Sequence, residues 1–195
     1  MKTENNLNNI KYILITGATG GLGGAFCREV IKEHNNLLLT GTRQEKLDKL
    51  KNDLLKINHE LNILTFPCDL SQFDDIEKFL AFLDKNNVNI HTLINNAGYI
   101  TEGSIKHSSI ETLLKCIQVN CEGTIHLTKE ILSRKKEEDS LNIITVSSMA
   151  GNYPLPYMAI YSATKSFLKT FMLALREEYK KEKVKLLLVQ TLLLQ

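Results

Sequence analysis

Hydrophobic positions along the chain fall into two alternating rhythms. Short, nearly continuous apolar runs occur at 10–16 (IKYILIT), 37–41 (LLLTG), 61–67 (LNILTFP), 90–95 (IHTLIN), 141–147 (LNIITVS) and 184–190 (VKLLLVQ). Runs of this length, rich in Ile, Leu and Val, predict strands buried on both faces. Between them lie amphipathic stretches of helical period at 22–34, 43–57, 72–86, 108–134 and 159–182. In the second of these, Leu47, Leu50, Leu54 and Ile57 recur at steps of three and four, which puts them on one helix face. Strands alternating with helices, joined by right-handed crossovers, predict an α/β fold with a doubly wound parallel sheet. No internal repeat or long linker divides the chain, so 1–195 reads as one domain behind a flexible polar segment at 1–9.

Composition narrows the function classes. A net charge of +2 gives no global field to attract nucleic acid or an anionic membrane, and the Lys/Glu clusters at 134–138 and 180–185 are mixed in sign. Cys27, Cys68, Cys116 and Cys121 have no CxxC spacing and no histidine at zinc-like distance, so they read as buried small hydrophobes in a reducing cytosol. The polar start and the interrupted tract LLLVQTLLL suit neither a signal peptide nor a membrane span. A soluble cytoplasmic protein without a metal is expected.

The candidate chemistry begins at ILITGATGGLGGAF, where five glycines, Gly17, Gly20, Gly21, Gly23 and Gly24, sit between a strand and a helix. Such a junction points free main-chain N–H groups outward with the helix dipole behind them, which makes an anion site with a diphosphate as its usual occupant. Gly17 would permit the tight turn, Gly20 or Gly21 a close approach, and Gly23 the packing of helix on strand. A tight turn with no ligand reads as well from the glycines alone.

The spacing is not GxGxxG but T-G-x-x-x-G-x-G, from Thr16, Gly17, Gly21 and Gly23. Further along come CDL (Cys68–Leu70), NNAG (Asn95–Gly98), QVN ending in Asn120, VSSMAG with Ser147 and Ser148, and YSATK with Tyr161 and Lys165. In this order the motifs resemble the short-chain dehydrogenase/reductases, compact branch. Gly20 also satisfies the T-G-x-x-G-x-x-G of the longer, epimerase-type branch, which NNAG disfavours.

The resemblance implies strand order 3-2-1-4-5-6 and a dinucleotide held by Thr16, Gly17, Thr19, Gly21, Leu22, Gly23, Asp69, Leu70, Asn96, Ala97 and Gly98. Asp69 matches the adenine-contacting aspartate. Thr42 stands where an acidic residue usually selects NADH, and Arg43 follows; a guanidinium suits a 2′-phosphate, so NADP(H) is preferred and NAD(H) possible. The implied reaction is hydride transfer between NADP(H) and a carbonyl or secondary alcohol. Tyr161 is the general acid/base, Lys165 lowers its pKa and holds the nicotinamide ribose, Ser148 orients the substrate oxygen, and Asn120 holds a relay water. Ser147 faces the core; His107 and His126 are ordinary helix residues. A homodimer or homotetramer through 108–134 and 159–182 is also implied.

The pattern breaks after the sixth strand. Thr191 and Leu192 stand where the family has Pro-Gly, and no lid or seventh strand follows, leaving the sixth as an exposed edge. The remaining pocket residues are in GYITEGS (98–104) and in GNYPLPYM (151–158), where Tyr153, Leu155, Tyr157 and Met158 either line a site or pack their loop. The alternative expectation is a catalytically silent nucleotide-binding or interaction protein on the same fold.

Overall fold

The computed structural model describes residues 10–34 and 36–192. The segment 1–9 lies outside the described residues. Six strands, β1 (Lys11–Ile15), β2 (Asn36–Gly41), β3 (Asn62–Pro67), β4 (Asn89–Asn95), β5 (Leu141–Ser148) and β6 (Val184–Thr191), form one sheet in the order β3-β2-β1-β4-β5-β6. Every pairing is parallel. Helices α1 (Gly21–Val30) and α2 (Gln44–Ile57) connect the first three strands, and α3 (Phe73–Lys85), α4 (Ile110–Ile117), α5 (Gly123–Arg134) and α6 (Ala159–Glu178) the rest.

Period-two alternation within the strands creates two cores. Ile13, Ile15, Leu37, Leu39 and Ile94 pack with Cys27 of α1 and with Leu47 and Leu54 of α2. Their neighbours Tyr12, Leu14, Leu38, Leu93 and Ile143 face the other way, onto Phe79 and Leu83 of α3, Leu127 of α5 and Met172 of α6. All four cysteines are free and buried. Burial pushes the thiols of Cys27 and Cys68 up to about 12. Ile57 departs from the expected stripe: at the last position of α2 it is 64% exposed, beyond the sheet's reach.

Two further expectations are corrected. The helices foreseen at 22–34 and 159–182 stop at Val30 and Glu178, and turns follow. The stretch 108–134 is not one uniform helix: a five-residue π-helical turn, Gln118–Glu122, separates α4 from α5. A π turn inserts a residue and re-aims the faces on either side of it. Here it brings Val119, Asn120 and Cys121 inward together. Gly123 then lies so close to the β3–α3 loop that an added Cβ would stand 2.4 Å from the Leu70 carbonyl oxygen.

β6 is an edge strand, as expected. On the α1 side of the sheet Leu187 is 55% exposed, and a groove of about 470 Å³ lies between Val30 of α1 and Ile144 and Leu187 of the sheet. No helix among the described residues is long and apolar enough to cross a membrane.

Candidate active site

Strand order reverses between β1 and β4, and a crevice opens at the carboxyl ends of the strands at such a switch point. A cleft of about 560 Å³ lies there, floored by the glycine turn and walled by Asp69–Leu70, Asn96–Gly98 and Tyr161 with Lys165. That volume is in the usual range for small-molecule sites.

The glycine turn is built by main-chain packing. Gly17 has φ +62°, and an added Cβ would sit 2.8 Å from the Ala97 Cα. At Gly23 a Cβ would lie 2.2 Å from the Gly17 carbonyl oxygen. Both sites require glycine for close approach. Gly21 differs: nothing lies within 4 Å of its would-be Cβ. Among the described residues no side chain caps α1, so its first-turn N–H groups, which have no partner inside the helix, are open to an anion.

Thr16 braces the turn from within. It is buried; its Oγ1 donates to the Ile94 carbonyl and accepts from the N–H groups of Asn96 and Ala97 at 3.0 Å each. Asn96 Nδ2 donates to the Thr16 and Gly17 carbonyls, fixing β4 against the turn. Thr19, Leu22, Thr42, Asp69, Leu70, Ala97 and Gly98 all line the cleft. Arg43 does not: it is exposed at the start of α2, next to Thr42.

At the far end, Lys165 lies 5% exposed with its Nζ 5.6 Å from the centre of the Tyr161 ring, one helical turn away. Burial lowers its pKa to about 8. Its ammonium donates to the Val146 carbonyl at 3.1 Å, one of three possible bonds. Tyr161 reverses an expectation. Its pKa is raised, because burial outweighs the favourable contact with the Ser148 hydroxyl. The ammonium, turned toward Val146, does not offset that cost. Ser148 is buried beside the phenol, and its Oγ accepts from the Ala150 N–H; Ser147 instead donates to the Lys165 carbonyl.

Asn120 is wholly buried, with its side-chain amide engaged at both ends. Oδ1 accepts from the Tyr99 N–H at 2.7 Å, while Nδ2 donates to the Tyr99 carbonyl and to Thr164 Oγ1, each at 3.0 Å. A side chain so engaged clamps the loop after β4, and one acceptor direction on Oδ1 remains open. Leu155 and Met158 pack behind Tyr161 with Cys116 and Ala150, whereas Tyr153 and Tyr157 are 61% and 68% exposed. His126 sits on α5 bonded to Glu77, and His107 lies in the turn before α4, not on a helix.

Sequence reasoning missed Lys115, which also lines the cleft, as does Tyr99 of the expected pocket stretch GYITEGS. Neither belongs to a motif. Lys115 carried no signal of its own on a helix face shared with Glu111, Thr112 and Gln118, and only the fold brings it to Asp69.

The profile of the short chain dehydrogenase family matches residues 11–194. The chain belongs to the short-chain dehydrogenase family. Among its relatives, the NADP-dependent 3-hydroxy acid dehydrogenase YdfG of Escherichia coli K12 is 34% identical over 167 residues, covering 85% of this chain and 65% of the relative. The chain thus spans just under two thirds of that dehydrogenase's length. Among solved structures, the bulky-bulky ketone specific alcohol dehydrogenase of Comamonas testosteroni superposes with a TM-score of 0.86 at 25% identity, over 96% of this chain and 74% of that one. Serine dehydrogenase from Escherichia coli gives 0.78 at 32% identity, over 92% and 80%. This short-chain dehydrogenase accordingly has the family's sheet order and its switch-point cleft.

Proposed function

We propose that the chain is an NADP(H)-dependent oxidoreductase interconverting carbonyl compounds and secondary alcohols, with Tyr161 as general acid and base. The observation that carries this reading is the placement of Tyr161 and Lys165 at one end of a cleft, with Ser148 against the phenol, and of an uncapped glycine turn at the other end. The residues present fit a dinucleotide: the Gly21 position opens toward free space, and the first-turn amides of α1 have no side-chain partner. The name of the YdfG relative and the pairing of Thr42 with Arg43 in place of an acidic residue favour NADP(H) over NAD(H).

Gly17, Thr19, Gly21, Leu22 and Gly23 would hold the diphosphate, Thr42 and Arg43 the 2′-phosphate, Asp69 and Leu70 the adenine, and Asn96–Gly98 the floor. When bound, the nicotinamide supplies or accepts the hydride, chemistry that side chains lack. Tyr161, kept protonated by burial, is ready to donate its proton to a carbonyl oxygen, the reductive direction. Ser148 fixes that oxygen beside the phenol. Lys165 has two N–H groups beyond its bond to Val146 for ribose hydroxyls. Asn120 holds Tyr99 and would carry the relay water on the remaining acceptor direction of its Oδ1. Exposed Ile125, Phe167 and Leu173 on α5 and α6 suit the expected self-association.

The test follows NADPH absorbance across a panel of ketones and aldehydes. Turnover should fall by roughly 10²–10⁴ in Tyr161→Phe with the fold intact. Cofactor binding without turnover on any substrate, and no effect of Tyr161→Phe, would instead support the catalytically silent reading.

A further inference from the structure

Of the charged side chains that line the cleft among the described residues, Asp69, Lys115 and Lys165, only Asp69 is anionic. It projects from the loop after β3. Its Oδ1 accepts from the Ser71 N–H at 2.9 Å and the Ser71 hydroxyl at 2.7 Å, and its Oδ2 accepts from Lys115 Nζ at 3.1 Å. These bonds fill three of the roughly four acceptor directions of a carboxylate. The other charges close by are Asp75 on α3, which weakly accepts from the Asp69 N–H at 3.4 Å, and Lys78, which pairs with Asp75.

Lys115 comes from the opposite wall, 46 positions later in the sequence. Its ammonium stands 5.9 Å from the centre of the Tyr99 ring, and Tyr99 is the residue whose backbone Asn120 clamps. The lysine therefore bridges two walls of the cleft, with its position set by an aromatic ring that is itself fixed. The pair is partly covered, at 40% and 24% side-chain exposure, so solvent screens it only in part.

We propose that Lys115 is a positioning residue for cofactor binding, converting Asp69 from a repulsive charge in the cleft into a neutralised, oriented hydrogen-bond acceptor. This rests on the dinucleotide reading above. A dinucleotide brings several phosphate charges into the cleft, and an unpaired carboxylate beside them would oppose binding. With Lys115 in place, the pair is neutral and the last acceptor direction on Oδ2 is open to a neutral donor such as the exocyclic amine of a purine. Against the cost of burial, the Ser71 bonds foremost and then the Lys115 ammonium hold the carboxyl below its ordinary pKa.

A double-mutant cycle tests this by titrating NADPH into the protein and reading its fluorescence, with kcat and KM measured in parallel. Lys115→Met should weaken NADPH binding roughly tenfold and show that loss in the KM for NADPH rather than in kcat. Lys115→Arg should restore binding to within about threefold. On an Asp69→Asn background, Lys115→Met should add almost nothing, because the charge it neutralises is gone. Its thermal midpoint should stay within about 4 °C of wild type, as expected for a partly exposed ion pair. Unchanged binding in Lys115→Met overturns the inference, and so does an equal loss on the Asp69→Asn background, which would mean direct contact with the cofactor. Failure of the wild-type chain to bind any dinucleotide is a separate result: it overturns the cofactor reading, and this inference with it.

Discussion

The two ends of the cleft are made of different materials. At the glycine turn, main chain packs on main chain: Gly17 against Ala97, and Gly23 against the Gly17 carbonyl. At the other end, polar side chains are buried at a cost: Lys165 keeps a lowered pKa, Tyr161 a raised one, and Asn120 divides its amide between Tyr99 and Thr164. The contrast separates two meanings of importance. A change at the first end strikes the fold, because backbone atoms have nowhere to move. A change at the second strikes chemistry, and some changes there should relieve the fold.

The largest expected effect tests the first half of that contrast. Gly23→Ala puts a Cβ 2.2 Å from a carbonyl oxygen and 2.9 Å from the Ala18 Cα, both backbone. It should cost about 3 kcal/mol or more, read as a lower denaturant midpoint or loss of soluble protein. A variant of wild-type stability would show that the turn is looser than described.

Lys165→Met tests the other half, with the opposite sign for stability. The folded pKa of Lys165 is about 8, below its ordinary 10.5, so folding at neutral pH carries a penalty for burying the ammonium. That penalty is complete below about pH 8 and fades as pH rises from there toward 10.5. The shift corresponds to roughly 3 kcal/mol, less the lost bond to Val146, so Lys165→Met should be more stable by about 1–2 kcal/mol at pH 7. Turnover should be lost, and the stability gap should narrow between pH 8 and 10. A destabilised Lys165→Met with no pH trend would show that the ammonium contributes to the fold instead of straining it.

The smallest effect sharpens the comparison within the glycine turn. Gly21→Ala meets no atom within 4 Å and sits at the first position of α1, so stability should change by less than about 1 kcal/mol, in the favourable direction. Its methyl group projects toward the cleft, so NADPH affinity should fall while the melting temperature does not. Equal effects of Gly21→Ala and Gly23→Ala on stability would erase the distinction.

How legible each part was follows the range of the interactions that make it. All six strands appear within a few residues of their apolar runs, because burial on both faces needs an unbroken run of Ile, Leu and Val. The Tyr161–Lys165 pair was legible because one helical turn is a local distance. The π turn at Gln118–Glu122 was not: its apolar and polar residues fit an ordinary helix, and only the inward demands of Asn120 and the contact of Gly123 with Leu70 select the extra residue. Ile57 fits its helix stripe equally well, yet the sheet does not extend beneath it.

By itself, then, the sequence determined the alternation of strand and helix, the place of the glycine turn and the residue types at the Tyr161–Lys165 end of the cleft. These depend on period, steric allowance and neighbours within one helical turn. Tertiary structure alone decided that Thr16 braces the loop after β4, that Asn120 clamps Tyr99, that the Tyr161 phenol is held protonated, and that Lys115 meets Asp69. Each of those depends on desolvation or on hydrogen bonds between segments far apart in the chain, quantities that exist only once the walls of the cleft have come together.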